Sequence, residues 1–336
     1  MRKRILLVTQ NLDDMVLDDL EILKKHYDTD YILFKNGAEV IQKFPELIRK
    51  MKKADLCFIW FATYYAFVAT AVAKVLGKPS ALVVGGYDIV KVPEIGYGLS
   101  MNPVKRLFPI FSLQWADAIL PFSNDSKEQM LENFDVDAEK IKTIYLGVNP
   151  VALKKAPRKK ENTAVTVGVV TRSNLTRKGL EVFVRAARYL PDAKFILIGD
   201  APDRRILDYL KELATPNVEF KNLGYNTGKI VSELGRAKAY VQISYHEGFG
   251  RAMAESMCQE CVPVVSRRGA IPEVVGNTGF YVSKMGNAKE VAEKISLALK
   301  SNKGKAARKR ASQFTLIRRE TELVKILNKL LREFEY

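Results

Sequence analysis

The stretch Tyr245-His246-Glu247-Gly248-Phe249-Gly250-Arg251-Ala252-Met253-Ala254-Glu255 carries the densest chemistry in the chain. It follows a β-branched run and opens a helical pattern. Gly248 and Gly250 let backbone amides approach a ligand closely, and a helix start adds partial positive charge, so the turn suits phosphate. Glu247 precedes the turn, and Glu255 lies inside the helix that follows. That spacing lets both carboxylates face one cleft, one towards each end of an elongated ligand. Carboxylates beside a phosphate-binding turn repel phosphate, which leaves hydroxyl groups as their partners. A ligand with phosphates in its middle and hydroxyls at both ends is a nucleotide sugar. By themselves, two glutamates at this spacing read first as a helix-start carboxylate and a solvated helix residue. His246, one of two histidines, suits a ligand contact or a structural hydrogen bond.

The elements that would hold these residues alternate along the whole chain. Strand patterns fall at 5–9, 31–34, 56–61, 81–85, 118–121 and 142–145, with helical patterns at 16–26, 38–53, 63–76, 104–115 and 126–133. The alternation restarts with strands at 165–170, 195–199, 218–220, 239–244 and 262–266, and helices at 180–190, 203–214, 229–236 and 251–259. A helix at 288–300, a basic patch and a last helix at 315–334 close the chain. Strands alternating with helices predict parallel βαβ units with helices on both sheet faces. Between the halves, 149–163 breaks the rhythm with two prolines and the run Lys154-Lys155-Ala156-Pro157-Arg158-Lys159-Lys160, a linker by composition. Two doubly wound domains in tandem place a ligand cleft at the carboxyl ends of their strands.

With E-G-F-G after a strand and Pro263-Val264-Val265 downstream, the chain resembles the retaining glycosyltransferases of the GT-B fold, especially family 4. That family includes sucrose- and mannosyl-transferring enzymes, and its signature is two glutamates spaced as Glu247 and Glu255 are. The resemblance implies that Glu247 contacts the donor sugar and Glu255 the ribose hydroxyls. Arg172 to Gly179 looks like the family's G-R-x(5)-K-G segment, with Thr171 where glycine usually precedes the arginine. Arginine offers a planar fork and lysine a compact charge, so the resemblance gives Arg172 and Lys178 to the pyrophosphate. Leu223-Gly224-Tyr225 resembles the turn whose backbone cradles the base, and Gly269-Ala270-Ile271-Pro272-Glu273 the G-G-x-P-E loop that adds backbone donors. His246, Gly248, Phe249 and Gly250 complete the implied donor site.

The first half matches more loosely. Gly85-Gly86-Tyr87-Asp88 resembles H-G-x-D, with glycine at the histidine position, so Gly86 and Asp88 are the acceptor-side candidates. Asp88 there suits acceptor orientation or helix capping. The glycine-rich loop of many relatives is replaced by Gln10-Asn11-Leu12-Asp13-Asp14.

Composition narrows the partners. A length of 336 residues suits two cores, and 47% hydrophobic with 27% charged residues is a soluble globular balance. Three cysteines are too few for a disulfide framework, and Cys258 and Cys261 read as core residues, which fits a reducing cytoplasm. The apolar run after Met1-Arg2-Lys3-Arg4 stops after Val8, too short for export, and the weakly charged 56–76 reads as a strand and a helix. A net charge of +16 suits nucleic acid, anionic lipid, a polyanionic substrate or a solvated lysine-rich surface. The basic run from Lys300 to Arg310 lacks interleaved aromatics, so nucleic acid is not expected there; it reads as a solvated face or an anionic membrane contact.

The sequence thus predicts an α/β protein of GT-B type, two Rossmann-like doubly wound domains. An acceptor-side domain spans 1–149, a linker 150–163 and a donor domain 164–313, while the helix 314–336 crosses back to the first domain by resemblance. The expected activity is retaining, metal-independent transfer from a nucleotide-diphosphate sugar to a sugar, glycan or lipid-linked acceptor, with no further cofactor. Asp28-Thr29-Asp30 and Asp135-Val136-Asp137 fit D-x-D formally but precede strands on the acceptor side. The expected location is cytoplasmic, peripheral on the inner membrane face where the acceptor is lipid-linked. Alternatives on the same architecture are a non-catalytic sugar-nucleotide-binding protein and a nucleotide-sugar epimerase.

Overall fold

A computed structural model describes residues 2–154, 159–224 and 227–334. The chain divides into two compact units, Met1–Leu146 with Leu316–Tyr336, and Gly147–Thr315.

The first unit is built on a parallel sheet of β1 (Arg4–Thr9), β2 (Asp28–Leu33), β3 (Leu56–Trp60), β4 (Ser80–Val84) and β5 (Ala118–Pro121), in the order β2-β1-β3-β4-β5. β3 and β4 are buried along their whole length, which is why they read as unbroken apolar runs rather than as alternation. Helices Asp14–His26, Tyr64–Val75, Leu107–Trp115 and Leu316–Glu333 pack around this sheet. The helical pattern at 38–53 is two helices, Gly37–Gln42 and Phe44–Lys53. Pro45 sits in the first turn of the second, where its missing N–H costs least. The strand expected at 142–145 does not form. The amides of Lys142 and Ile144 donate to the carbonyls of Ile119 and Pro121, but Pro121 has no N–H to return a bond.

In the second unit the parallel sheet is β6 (Glu161–Val167), β7 (Lys194–Ile198), β8 (Val218–Lys221), β9 (Ala237–Gln242), β10 (Val262–Ser266) and β11 (Phe280–Val282). Its order is β11-β10-β9-β6-β7-β8. The chain winds outward from β6 one way and then from β9 the other, so the order reverses between β6 and β9. Loops at the carboxyl ends of that pair part at the reversal and leave a crevice there. A core of Phe183, Phe195, Leu197, Val241, Val264 and Ile295 fills the layer between sheet and helices.

The span expected as a linker is largely folded onto this unit. Pro150–Leu153 forms a short 3-10 turn, Gln259 Nε2 donates to the carbonyls of Ala152 and Lys154, and β6 already begins at Glu161. The centre of the expected linker, 155–158, and Tyr225 lie outside the described residues. Among the described residues no helix is long and apolar enough to cross a membrane.

Candidate functional site

Arg172 and Lys178 follow β6, and the candidates between 246 and 255 follow β9, so the sheet reversal sets the two groups at neighbouring strand ends. After β6 the chain turns at Thr171, whose hydroxyl accepts from the amide of Asn174 and caps helix Arg172–Arg177. Threonine at the position where the family pattern has glycine is therefore a helix cap. Lys178 ends that helix, and Gly179 follows with φ +68°. A Cβ on Gly179 would stand 2.6 Å from the Ile243 carbonyl oxygen, so only glycine lets this corner press against the end of β9.

That approach sets a cluster of charges. Lys178 Nζ lies 3.7 Å and Arg177 Nη1 3.8 Å from Oε1 of Glu247, and the Ser244 hydroxyl donates to the same oxygen at 3.1 Å. The Glu247 side chain is only 13% exposed. Burial pushes its carboxyl up, but the Lys178 and Arg177 cations outweigh burial and hold it below the ordinary value. Glu247 is thus ionised at neutral pH. The loop at Gly269 braces it from behind: the Ala270 amide donates to the Glu247 carbonyl at 2.9 Å, and Gly269 has φ +57° against the Glu247 backbone. His246 is buried, and desolvation pushes its imidazole down to about 4 despite the neighbouring Glu247 carboxylate. It is a neutral ring at physiological pH.

Gly250, with φ +83°, opens helix Arg251–Cys258. Glu255 lies in that helix, where its Oε1 accepts from Arg251 Nε at 3.0 Å and from the Asn149 amide at 3.1 Å. Both members of the Arg251–Glu255 pair are nearly buried. Phe249 points inward, edge-to-face on Phe314 with centroids 5.3 Å apart, which leaves only its backbone to a ligand. Gly224, with φ +59°, is exposed after β8, and its amide donates to Asn222 Oδ1. Leu223 beside it is half-buried. Arg172 is exposed at the first position of its helix.

Residues 152–314 match the family described as Glycosyl transferases group 1. That segment belongs to the glycosyl transferases group 1 family. The chain is 28% identical over 297 residues to the N,N'-diacetylbacillosaminyl-diphospho-undecaprenol alpha-1,3-N-acetylgalactosaminyltransferase of Campylobacter jejuni, covering 80% of this chain and 74% of that protein. It is 27% identical over 256 residues to the alpha-maltose-1-phosphate synthase of Mycolicibacterium smegmatis, covering 69% of this chain and 65% of that one. It therefore spans just under two thirds of that synthase's length. Among solved structures, the Anabaena protein HepE in complex with UDP and glucose superposes with a TM-score of 0.78 at 18% identity, covering 98% of this chain and 100% of that one. Two parallel-sheet α/β units with these neighbours are the GT-B fold.

Within the group 1 segment the structure adds residues that the spacing did not select. Arg177 faces Glu247 alongside Lys178, while Asn174 Oδ1 holds its guanidinium at 2.8 Å. Its place next to Lys178 was the only signal. Arg251 was legible as the residue one turn before Glu255.

The basic run is not one cationic face. Lys303 donates to the carbonyls of Asn277 and Gly279, Arg308 to those of Leu153 and Cys258, and Arg310 to those of Val274 and Glu273. These cations satisfy carbonyls of their own unit, and Lys305 and Lys309 remain exposed.

In the first unit, Asp88 is buried with both carboxylate oxygens committed. Oδ2 accepts from the Ala62 amide at 3.0 Å, and Oδ1 accepts from the Gly86 amide at 2.9 Å. Burial raises its carboxyl above the ordinary value even so. These contacts of Asp88 tie together the loops after β3 and β4, and none of them caps a helix start. Its partner Gly86 is half-buried with open space at its α-carbon. Asp28 and Asp30 lie within β2, paired with Arg4 and Lys50.

Proposed function

We propose that the chain transfers a sugar from a nucleoside-diphosphate sugar to a hydroxyl of an acceptor, with retention of anomeric configuration. The observation that carries this reading is Glu247 set against Lys178 and Arg177 at the sheet reversal, in a group 1 segment. Lys178 stands beyond hydrogen-bond distance of the carboxylate, so it is able to turn to a diphosphate while Arg177, held by Asn174, keeps Glu247 paired. In this reading Arg172, Lys178 and the amides at 248–250 neutralise the departing diphosphate, and that neutralisation lowers the barrier without a resident metal. Glu247, ionised and acceptor-only, takes hydroxyls of the donor sugar. Glu255 spends Oε1 on Arg251 and Asn149, which leaves Oε2 for the ribose hydroxyls. The backbone at Leu223 and Gly224 borders the base. The acceptor is a sugar, glycan or lipid-linked hydroxyl; the Campylobacter relative's name specifies a diphospho-undecaprenol-linked glycan, which favours the lipid-linked class.

The test is thermal denaturation with nucleoside diphosphates and their sugars, on the natural chain and on Glu255→Gln. A ligand at ~100 times its Kd stabilises by about 2.7 kcal/mol, a plain rise in Tm. One base family should raise Tm in the natural chain and not in the variant. If no diphosphate raises Tm, the proposal is wrong. The anomer formed with the active donor, followed by NMR from the first turnovers, tests retention.

A further inference from the structure

The exposed cations that could meet a membrane are not where the sequence concentrates them, since Lys303, Arg308 and Arg310 are taken up by carbonyls. A different segment of the first unit has the complementary chemistry. Between β4 and helix Leu107–Trp115, every residue of 101–107 is exposed. Val104 is 70% exposed, Leu107 48% and Met101 38%, an apolar concentration that water does not favour in so short a segment. Lys105 and Arg106 lie between Val104 and Leu107, and 99–115 contains no Asp or Glu. Helix Leu107–Trp115, which continues the segment, packs half-buried rings on Phe67. The Phe67 ring lies 6.1 Å from Phe108, 5.8 Å from Phe111 and 5.4 Å from Trp115.

We propose that 101–107 is a docking surface for an anionic lipid bilayer. Val104 and Leu107 enter the boundary of the acyl chains, while Lys105 stays at the level of the phosphates. Arg106 donates to the Asn133 carbonyl, which steadies the segment's base. A second copy of the chain fits less well, because it would set Lys105 against its like in a segment that carries no Asp or Glu. The inference does not rest on the transferase reading, since vesicle binding needs neither donor nor acceptor.

The experiment is co-sedimentation of the full chain with vesicles of phosphatidylcholine alone and of phosphatidylcholine with phosphatidylglycerol, at low and high salt. The variants are Val104→Ser/Leu107→Ser, Lys105→Gln and, as a control elsewhere, Lys305→Gln/Lys309→Gln; Tm checks that each folds. The chain should pellet with the anionic vesicles and be released by salt. Lys105→Gln should weaken binding roughly fivefold. The apolar pair should weaken it on the order of tenfold, and the control should bind as the natural chain does. No pelleting with anionic vesicles would overturn the proposal, as would a loss confined to Lys305→Gln/Lys309→Gln. Self-association abolished by Val104→Ser/Leu107→Ser, with no vesicle binding, would overturn it in favour of a second copy.

Discussion

His246 and Glu247 are adjacent in sequence and opposite in electrostatic fate. Glu247 has two cations within 4 Å and stays charged, whereas desolvation dominates His246 and keeps it neutral. The histidine makes a prediction with a definite sign. The unfolded chain takes up this proton near 6.5, while the folded chain resists it until about 4. In that window the unfolded state binds more protons, so stability falls as pH falls. Between about pH 7 and pH 5 this one group should remove roughly 2 kcal/mol, above the range where most carboxylates titrate. Urea denaturation of the natural chain and of His246→Gln at the two pH values measures it, and the variant should lose about 2 kcal/mol less. Parallel losses would mean that His246 is not held neutral by the fold. Sequence reasoning left its two roles open because the residue type does not reveal burial.

At the scale of elements, much of the site was legible because local chemistry and topology agree. Strand ends, the E-G-F-G turn and the glycine after Lys178 each carry a sequence mark. What the sequence hides is the contact between elements distant along the chain. Gly269 read as part of a loop that adds backbone donors; in the structure that loop is braced on Glu247 itself, through the Ala270 amide. The paired positive-φ glycines Gly269 and Gly77 separate brace from turn. A Cβ at Gly269 would stand 2.5 Å from the Glu247 carbonyl oxygen, whereas one at Gly77, with φ +64°, meets nothing within 4 Å. Gly77→Ala should therefore cost only the left-handed penalty of about 1 kcal/mol, and Gly269→Ala about 2 kcal/mol or more. Gly269→Ala should also abolish the rise in Tm with nucleoside diphosphates, because it moves Glu247. Equal costs from denaturant midpoints, with ligand response intact, would remove the loop from the site. The missing strand at 142–145 has the same kind of cause: its apolar pattern is sound, but the neighbour it needs ends in Pro121.

At the scale of the whole molecule, the first unit is assembled from both ends of the chain, and its stability should reside in a contact that no local pattern reveals. Arg318 and Arg319 are neighbours on helix Leu316–Glu333, where either reads as a solvated cation. Arg318 is exposed, but Arg319 is buried and pairs with the equally buried Asp19 through two bonds of 2.6 and 2.7 Å. The Arg319 guanidinium also donates to the carbonyls of Ile144 and Tyr145, and Asp19 accepts from the Trp60 indole. Removing one partner leaves a buried charge uncompensated, so Arg319→Met or Asp19→Leu should each cost about 3–5 kcal/mol. Removing both spares the stranded charge but orphans the indole N–H and the two carbonyls, at about 1–3 kcal/mol for each group that water does not reach. Asp19→Leu/Arg319→Met should thus be less damaging than the sum of the single changes, with a coupling energy of about 2 kcal/mol in a double-mutant cycle. Additive losses would instead make Arg319 chiefly a donor to the 144–145 carbonyls. The last helix would then be held by its leucines Leu323, Leu327, Leu330 and Leu331, rather than by charge.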